Sequence, residues 1–139
     1  MGIDWLTIHG RTRHQKSTEP VDYTAIKLVK ESLSIPVLAN GGIFTLDDAD
    51  RMYNETNVSG VMSARGLLQN PALFAGYKHT PLQCVEKYIN LALAYGTPTA
   101  IIHHHLMYMM ESLMSNVERK TFNCLTSIPA ILDHMAYYY

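Results

Sequence analysis

The stretches WLTIHGRTR (5–13), PVLANGGI (36–43) and GVMSARG (60–66) decide the fold of this 139-residue chain. Each begins with a compact apolar run and ends in small or basic residues. Continuous apolar runs, rather than alternating polar and apolar residues, are typical of strands buried on both faces of a parallel sheet. We therefore predict three parallel strands, at residues 5–8, 36–39 and 60–64.

The segments between these strands have helical periodicity. Asp22 precedes apolar residues at helical spacing, and Thr45 with Asp48 forms the pattern of a capping box. In the helix after Thr45, the positions expected to face inward are Ala49, Met52 and Tyr53. The order strand, helix, strand, helix, strand predicts an α/β fold for this part of the chain.

From about Asn70 onward the pattern is helical only. Asn70-Pro71 and Thr80-Pro81 each have the form of an N-cap followed by proline at the first helical position. We expect one helix from Thr80 to Gly96, one over 99–113, one capped by Ser115 and Glu118, and a last one opening at Ser127 or Pro129. The chain is accordingly divided into an α/β segment, residues 1–76, and a helical domain, residues 77–139.

The composition excludes several classes of protein. With 47% hydrophobic and 17% charged residues, the chain is too apolar to be disordered. No apolar run approaches the roughly 18 residues of a membrane helix, so no membrane association is expected. A formal net charge of -1 argues against a dedicated, strongly basic nucleic-acid binder. Two cysteines form no disulfide framework and indicate a reducing compartment, the cytoplasm or the nucleus.

Polar motifs follow all three predicted strands, at 9–13, 40–42 and 63–66. The carboxyl ends of parallel strands meet at one edge of a sheet, where α/β enzymes build their active sites. Paired glycines suit a backbone cradle for a phosphate, and an arginine at a strand end suits its charge. Alone, each motif is equally compatible with an ordinary solvated turn. Together they predict a site for a phosphorylated cofactor.

These strings resemble the dihydrouridine synthase family, most of all its branch that modifies positions 20a and 20b of the tRNA D-loop. The similarity continues through AGYKHTP (75–81) and HHHLMYMMES (103–112), and so covers essentially the whole chain. The resemblance implies the C-terminal part of a TIM barrel, its last three strands, followed by an all-helical tRNA-binding domain. Three strands cannot close a barrel, which has eight strands and about 250 residues, so we expect a fragment of a longer protein.

The resemblance also implies a reaction. In the family, NADPH reduces flavin mononucleotide (FMN), the flavin reduces a D-loop uridine to dihydrouridine, and a cysteine acts as general acid. That cysteine precedes the segment present in this chain. Cys84 and Cys124 lie in helical, apolar patterns and are expected to be small buried residues. We therefore assign no catalytic residue and do not expect the chain alone to reduce uridine.

The residues implied to bind FMN are His9, Asn40, Gly41, Gly42, Ala64 and Arg65. Family members often have aspartate at the place of Gly42 and glycine at the place of Ala64, which removes one polar contact and adds one methyl near the phosphate. The residues implied to contact tRNA are Arg11, Arg13, Lys16, Arg119 and Lys120. No metal site is predicted, because the consecutive histidines 103–105 point about 100° apart on a helix.

Two alternatives remain open from the sequence. The chain would fit another FMN- or phosphate-binding barrel oxidoreductase, although such a barrel would end soon after Asn70-Pro71. It would also fit a non-catalytic truncated protein that binds partners, or RNA weakly, through its helices. In either case a partial barrel with exposed apolar edges is expected to be poorly soluble or oligomeric.

Overall fold

A computed structural model, which describes residues 2–139, shows three short strands in one parallel sheet. They are β1 (Leu6–His9), β2 (Val37–Asn40) and β3 (Gly60–Met62), in the order β1-β2-β3. The predicted α/β pattern with parallel strands is confirmed. β1 and β2 each begin and end one residue later than predicted, and the pairing of His9 with Asn40 extends both strands to the polar motif. β3 ends two residues earlier than predicted.

Two helices cover one face of this sheet. α1 (Tyr23–Ser32) is capped by the Asp22 carboxylate, which accepts a hydrogen bond from the Ala25 N–H at 2.9 Å. α2 (Leu46–Thr56) begins with the predicted capping box of Thr45 and Asp48. The sequence therefore predicted both helix starts correctly, because each cap is a local hydrogen bond.

The core of this α/β part lies between the helices and β2. Val37 and Ala39 of β2 are fully buried, as are Ile26 of α1 and Met52 of α2. The expectation that Tyr53 also faces inward was wrong, since 51% of its surface is exposed. It follows Met52 by one position, about 100° around the helix, which places it beside the buried stripe rather than in it.

The rest of the chain is helical, as predicted. A short helix α3 (Arg65–Gln69), which the sequence did not predict, follows β3, and a 3₁₀ turn spans Leu73–Ala75. The longer helices are α4 (Leu82–Ala94), α5 (Thr99–Met110), α6 (Asn116–Asn123) and α7 (Ile128–Tyr138). Ser115 and Ser127 cap α6 and α7 as expected.

The proline-containing helix starts differ from the prediction. Asn70 accepts from the Ala72 N–H and donates to the Tyr77 carbonyl, and the segment after it forms a 3₁₀ turn, not an α-helix. Thr80 does not cap α4, since its hydroxyl donates to the Gln69 carbonyl at 2.5 Å. Pro81 takes the N-cap position without any side-chain cap. Both side chains stabilise the connecting segment instead of a helix end.

The chain divides into two compact units, unit 1 up to Leu67 and unit 2 from Leu68 to Tyr139. The division into functional domains at residues 76 and 77 stays a prediction. Unit 2 has its own apolar core, built around Leu106, Met110, Phe122 and Ile131. The methionines of α5 are part of this core, as the sequence indicated.

One of the two cysteines of unit 2 is placed differently than expected. Cys84 is half-buried, but Cys124 is exposed, and its prediction as a buried residue was wrong. It sits at the C-cap of α6, where its thiol donates to the Lys120 carbonyl at 3.4 Å. His103 stacks on Phe122 and its Nε2 lies 2.9 Å from the Phe122 carbonyl oxygen, so it is a packing residue.

Within residues 2–139, no helix is long and apolar enough to cross a membrane. The same residues contain no group of three or more histidine, cysteine or acidic side chains placed to hold a metal ion.

Candidate functional site

The three strands of unit 1 bring their polar motifs together at their carboxyl ends. His9 pairs with Asn40, and Asn40 pairs with Met62, so the three side chains form a row on one face of the sheet. The Gly10 N–H donates to the Asn40 carbonyl at 3.1 Å, and the Asn40 amide lies 3.7 Å from the Met62 sulfur. This row lies on the sheet face opposite to α1 and α2. Val37 and Ala39, which face the helices, alternate along β2 with Leu38 and Asn40, so the latter two point to the other face.

A hydrogen bond in the loop after β1 orients the His9 ring. Its Nδ1 accepts a hydrogen bond from the Arg11 backbone N–H at 3.1 Å. A neutral imidazole with an accepting Nδ1 carries its proton on Nε2, which is then a donor. The Arg11 Nε donates to the Glu19 carbonyl at 2.6 Å, and the Asp22 N–H donates to the Gly10 carbonyl at 2.7 Å, so the loop is closed on itself.

The loop after β2 requires glycine at two positions. Gly41 and Gly42 have φ angles of 117° and 71°, in the region that other residues rarely adopt. A Cβ on Gly41 would lie 3.0 Å from the His9 ring, and one on Gly42 would lie 3.0 Å from the Val21 side chain. Within residues 2–139, their backbone N–H groups donate to no acceptor. The two amides are therefore available to a ligand.

The loop after β3 contributes a cation. The Arg65 side chain is exposed, and its guanidinium lies over the Phe44 ring, with 5.4 Å between Cζ and the ring centroid. Its Nη2 makes one long contact of 3.5 Å to the Ser17 carbonyl. No carboxylate pairs with it among residues 2–139. The Arg65 charge is therefore free to pair with an anion.

These groups line one small cavity of about 150 Å³. All six residues predicted to bind the cofactor line it, namely His9, Asn40, Gly41, Gly42, Ala64 and Arg65. Arg11, predicted to contact tRNA, lines it as well. The volume suits a small anion rather than a complete flavin, and the paired amides with Arg65 match the donors that phosphate oxygens require. A larger open cavity of about 770 Å³ shares Arg11, Gly42, Phe44 and Arg65 with it.

The other predicted tRNA-contacting residues lie elsewhere. Arg13 and Lys16 are exposed in the loop after β1 and line neither cavity. In unit 2, Lys120 is exposed, but Arg119 is half-buried and donates from Nη2 to the Glu111 carbonyl at 2.6 Å. Among residues 2–139, Arg13, Lys16 and Lys120 form no salt bridge, while Arg119 is held by its own unit.

Sequence reasoning missed several residues of the site. Phe44 contacts Arg65, Val21 packs against Gly42, and the Ser63 hydroxyl donates to the Ile43 carbonyl at 2.8 Å. Phe44 follows the glycine pair by two positions, but a single apolar residue in a loop is common and gave no local signal of its contact with Arg65. The roles of Val21 and Ser63 depend on contacts between loops that are distant in sequence.

The family model and the similar proteins all indicate the same family. The family model described as dihydrouridine synthase (Dus) matches residues 1–130. The chain is 49% identical over 138 residues to a Homo sapiens protein named tRNA-dihydrouridine(20a/20b) synthase NAD(P)+-like, covering 99% of this chain and 43% of that protein. It is 47% identical over 116 residues to tRNA-dihydrouridine(20a/20b) synthase of Saccharomyces cerevisiae, covering 81% of this chain and 32% of that protein.

Similarity to another branch of the family is lower. A Mus musculus protein named tRNA-dihydrouridine(16/17) synthase NAD(P)(+)-like is 41% identical over 109 residues, covering 76% of this chain and 22% of that protein. The chain thus spans less than half the length of the curated relatives described above.

Proposed function

Because this chain belongs to the dihydrouridine synthase family, we propose that unit 1 forms the phosphate-binding side of the flavin site of a tRNA-dihydrouridine(20a/20b) synthase. One observation carries the proposal. The strand-end residues His9, Asn40, Gly41, Gly42 and Arg65 converge around a single cavity at the carboxyl edge of three parallel strands. This is the edge at which α/β enzymes bind phosphorylated cofactors.

The proposed architecture follows from this placement. The three strands correspond to the last three of an eight-stranded TIM barrel, in which the loops after the seventh and eighth strands frequently bind phosphate. In this chain the segments after β2 and β3 correspond to these loops, and they contain the Gly41-Gly42 pair and Arg65. The face that carries His9, Asn40 and Met62 would then look into the barrel, and residues 77–139 would form the tRNA-binding domain.

The residues of the site fit FMN. The Gly41 and Gly42 amides and the Arg65 guanidinium would hold the phosphate, with the Ala64 backbone beside them. His9 would donate from Nε2 to the flavin, and the Asn40 amide would both donate and accept at the polar edge of the ring. Bound FMN would supply the reducing equivalents that the uridine double bond needs. Family members often have aspartate at the position of Gly42. In this chain a side chain there would meet Val21, which agrees with the presence of glycine.

The proposed reductant and substrate are based on the names of the relatives. Their names contain NAD(P)+ and tRNA-dihydrouridine(20a/20b), and we take NADPH and a D-loop uridine at these positions as the reactants. The side chains proposed to contact tRNA phosphates are Arg11, Arg13, Lys16, Arg119 and Lys120. Contacts of this kind weaken as the salt concentration rises. Arg119 would have to release the Glu111 carbonyl to take part.

Neither cysteine of the chain lines the cavity proposed to bind the cofactor. Both lie in unit 2, Cys84 in α4 and Cys124 at the end of α6. We therefore propose that this chain supplies cofactor binding and not the complete reduction.

A flavin titration of the 139-residue chain tests the proposal. Flavin fluorescence should change saturably with FMN, and Arg65→Ala should weaken binding at least about tenfold, because a charge-assisted contact to phosphate is lost. Arg13→Ala is the matched control, since it removes an exposed arginine outside the cavity and should leave FMN affinity unchanged. Equal effects of the two substitutions would show that Arg65 is not a phosphate ligand, and absence of saturable binding would show that this chain does not form the site by itself.

A further inference from the structure

We propose that Phe44 is a positioning residue that holds the Arg65 guanidinium at the phosphate cradle. The inference rests on the proposed flavin site and adds to it a residue that makes no polar contact with the ligand. Arg65 is a long, exposed side chain at the start of α3, which follows β3, and Phe44 is a phenylalanine on the loop after β2. These two segments contribute the two parts of the proposed phosphate site.

The contact between them is of a type that orients arginine. A guanidinium within about 6 Å of an aromatic centroid is attracted to the ring face, and its weak hydration lets it stack there. The observed separation is 5.4 Å. The other polar contact of the guanidinium, to the Ser17 carbonyl, is at the long limit of a hydrogen bond at 3.5 Å. Phe44 is therefore the main restraint on this side chain within residues 2–139.

Phe44 is itself fixed by the backbone on both sides. Its N–H donates to the Asp48 carboxylate at 3.1 Å, the same carboxylate that completes the capping box of α2. The preceding Ile43 is buried, and its carbonyl accepts from the Ser63 hydroxyl at 2.8 Å. The backbone at Phe44 is thus tied to the start of α2 and to Ser63 after β3, which limits where the ring can lie and preorganises a cation stacked on it.

Phe44 also exposes 37% of its surface and lines both cavities that contain Arg65. A purely structural role would make it a partly buried packing residue, whose replacement lowers stability and affects every ligand of the site alike. If Phe44 instead positions Arg65, its replacement should affect only ligands that carry the phosphate.

Two ligands and two variants of the 139-residue chain separate these roles. Riboflavin has the ring and side chain of FMN but lacks the phosphate. Phe44→Leu should weaken FMN binding about three- to tenfold, the range expected for a cation–π contact, and leave riboflavin binding unchanged. Phe44→Tyr keeps the aromatic face and should retain wild-type affinity for both. In an Arg65→Ala background, Phe44→Leu should have no further effect on FMN.

Each other outcome overturns the inference in a recognisable way. If wild type prefers FMN to riboflavin and Phe44→Leu keeps that preference, Phe44 has no positioning role and the flavin site stands. If wild type binds FMN no better than riboflavin, or binds neither, the phosphate site fails and the role of Phe44 fails with it. If Phe44→Leu is unfolded by circular dichroism, Phe44→Met replaces it, and equal loss of both ligands in that variant favours packing alone.

Discussion

At the scale of single residues, the glycine pair shows how the site depends on backbone conformation. Gly42 combines a φ of 71° with a Cβ position only 3.0 Å from Val21. We expect Gly42→Ala to lower the free energy of unfolding by about 1–2 kcal/mol, the cost of a left-handed conformation for a residue with a side chain. It should also weaken FMN binding, since the cradle must shift to admit the methyl group. Chemical denaturation and flavin titration measure the two effects.

Gly96 offers a matched control for this prediction. Its φ of 65° is nearly the same, but no atom lies within 4 Å of its Cβ position, and it belongs to unit 2. Gly96→Ala should therefore destabilise the chain to a similar extent and leave FMN binding unaltered. If the two variants bind FMN equally, the loop at Gly42 is not part of the cofactor site.

The residues of the site differ in how far the sequence predicts them. Gly41, Gly42 and Arg65 carry local signals only in combination, because each motif alone is also an ordinary turn and three of them follow successive strands. Arg11 was assigned to tRNA, whereas its side chain lines the same cavity as the residues proposed to bind FMN. That position depends on the Glu19 carbonyl, eight residues away, which accepts from its Nε. Periodicity and motif spacing contain no information about such a contact.

At the scale of elements, the start of α6 and the end of α7 meet in a polar cluster in which Glu118 and His134 are buried and Tyr139 is partly exposed. The Glu118 carboxylate accepts from the Tyr139 hydroxyl at 2.8 Å, and the His134 Nε2 lies 3.4 Å from the same oxygen, outside hydrogen-bond geometry. Burial, and then the hydrogen bond to Glu118, raise the pKa of Tyr139. The cluster links the capping box of α6 to the last turn of α7.

The raised pKa of Tyr139 predicts a loss of stability at alkaline pH. The folded state favours the neutral phenol, so the contribution is fully present below the unfolded pKa of about 10. It is lost as the pH rises from there toward the higher folded value. Urea denaturation between pH 8 and about pH 11 should show a steeper decline for wild type than for Tyr139→Phe. Parallel pH profiles would mean that the hydroxyl does not interact with Glu118 in solution.

Helix starts were predictable where a cap is local and were missed where the side chain has a distant partner. Thr45 and Ser115 bond to N–H groups three residues away, so their patterns are readable in sequence. Thr80 has the same chemistry but bonds to Gln69, eleven residues earlier. The five-residue helix α3 is shorter than two turns and has no periodicity to detect.

At the scale of the whole molecule, the sheet of unit 1 has open sides. Within residues 2–139, β1 and β3 each pair with one neighbour only, β2. Trp5 and Ile3, next to β1, expose 61% and 63% of their surface, and Met62 of β3 exposes 40%. Unpaired strand edges with apolar flanks are templates for association.

We therefore expect the isolated 139-residue chain to associate as its concentration rises, with Trp5 at the contact. Trp5→Lys places a charge beside the β1 edge and should raise the concentration at which association begins, which sedimentation velocity measures. Leu28→Lys is the control, because Leu28 is equally exposed at 64% but lies on α1, away from any strand edge. A chain that stays monomeric over the accessible concentrations, or equal effects of both substitutions, would show that the edge is not the associating surface. An effect confined to Trp5→Lys would locate the associating surface at the β1 edge.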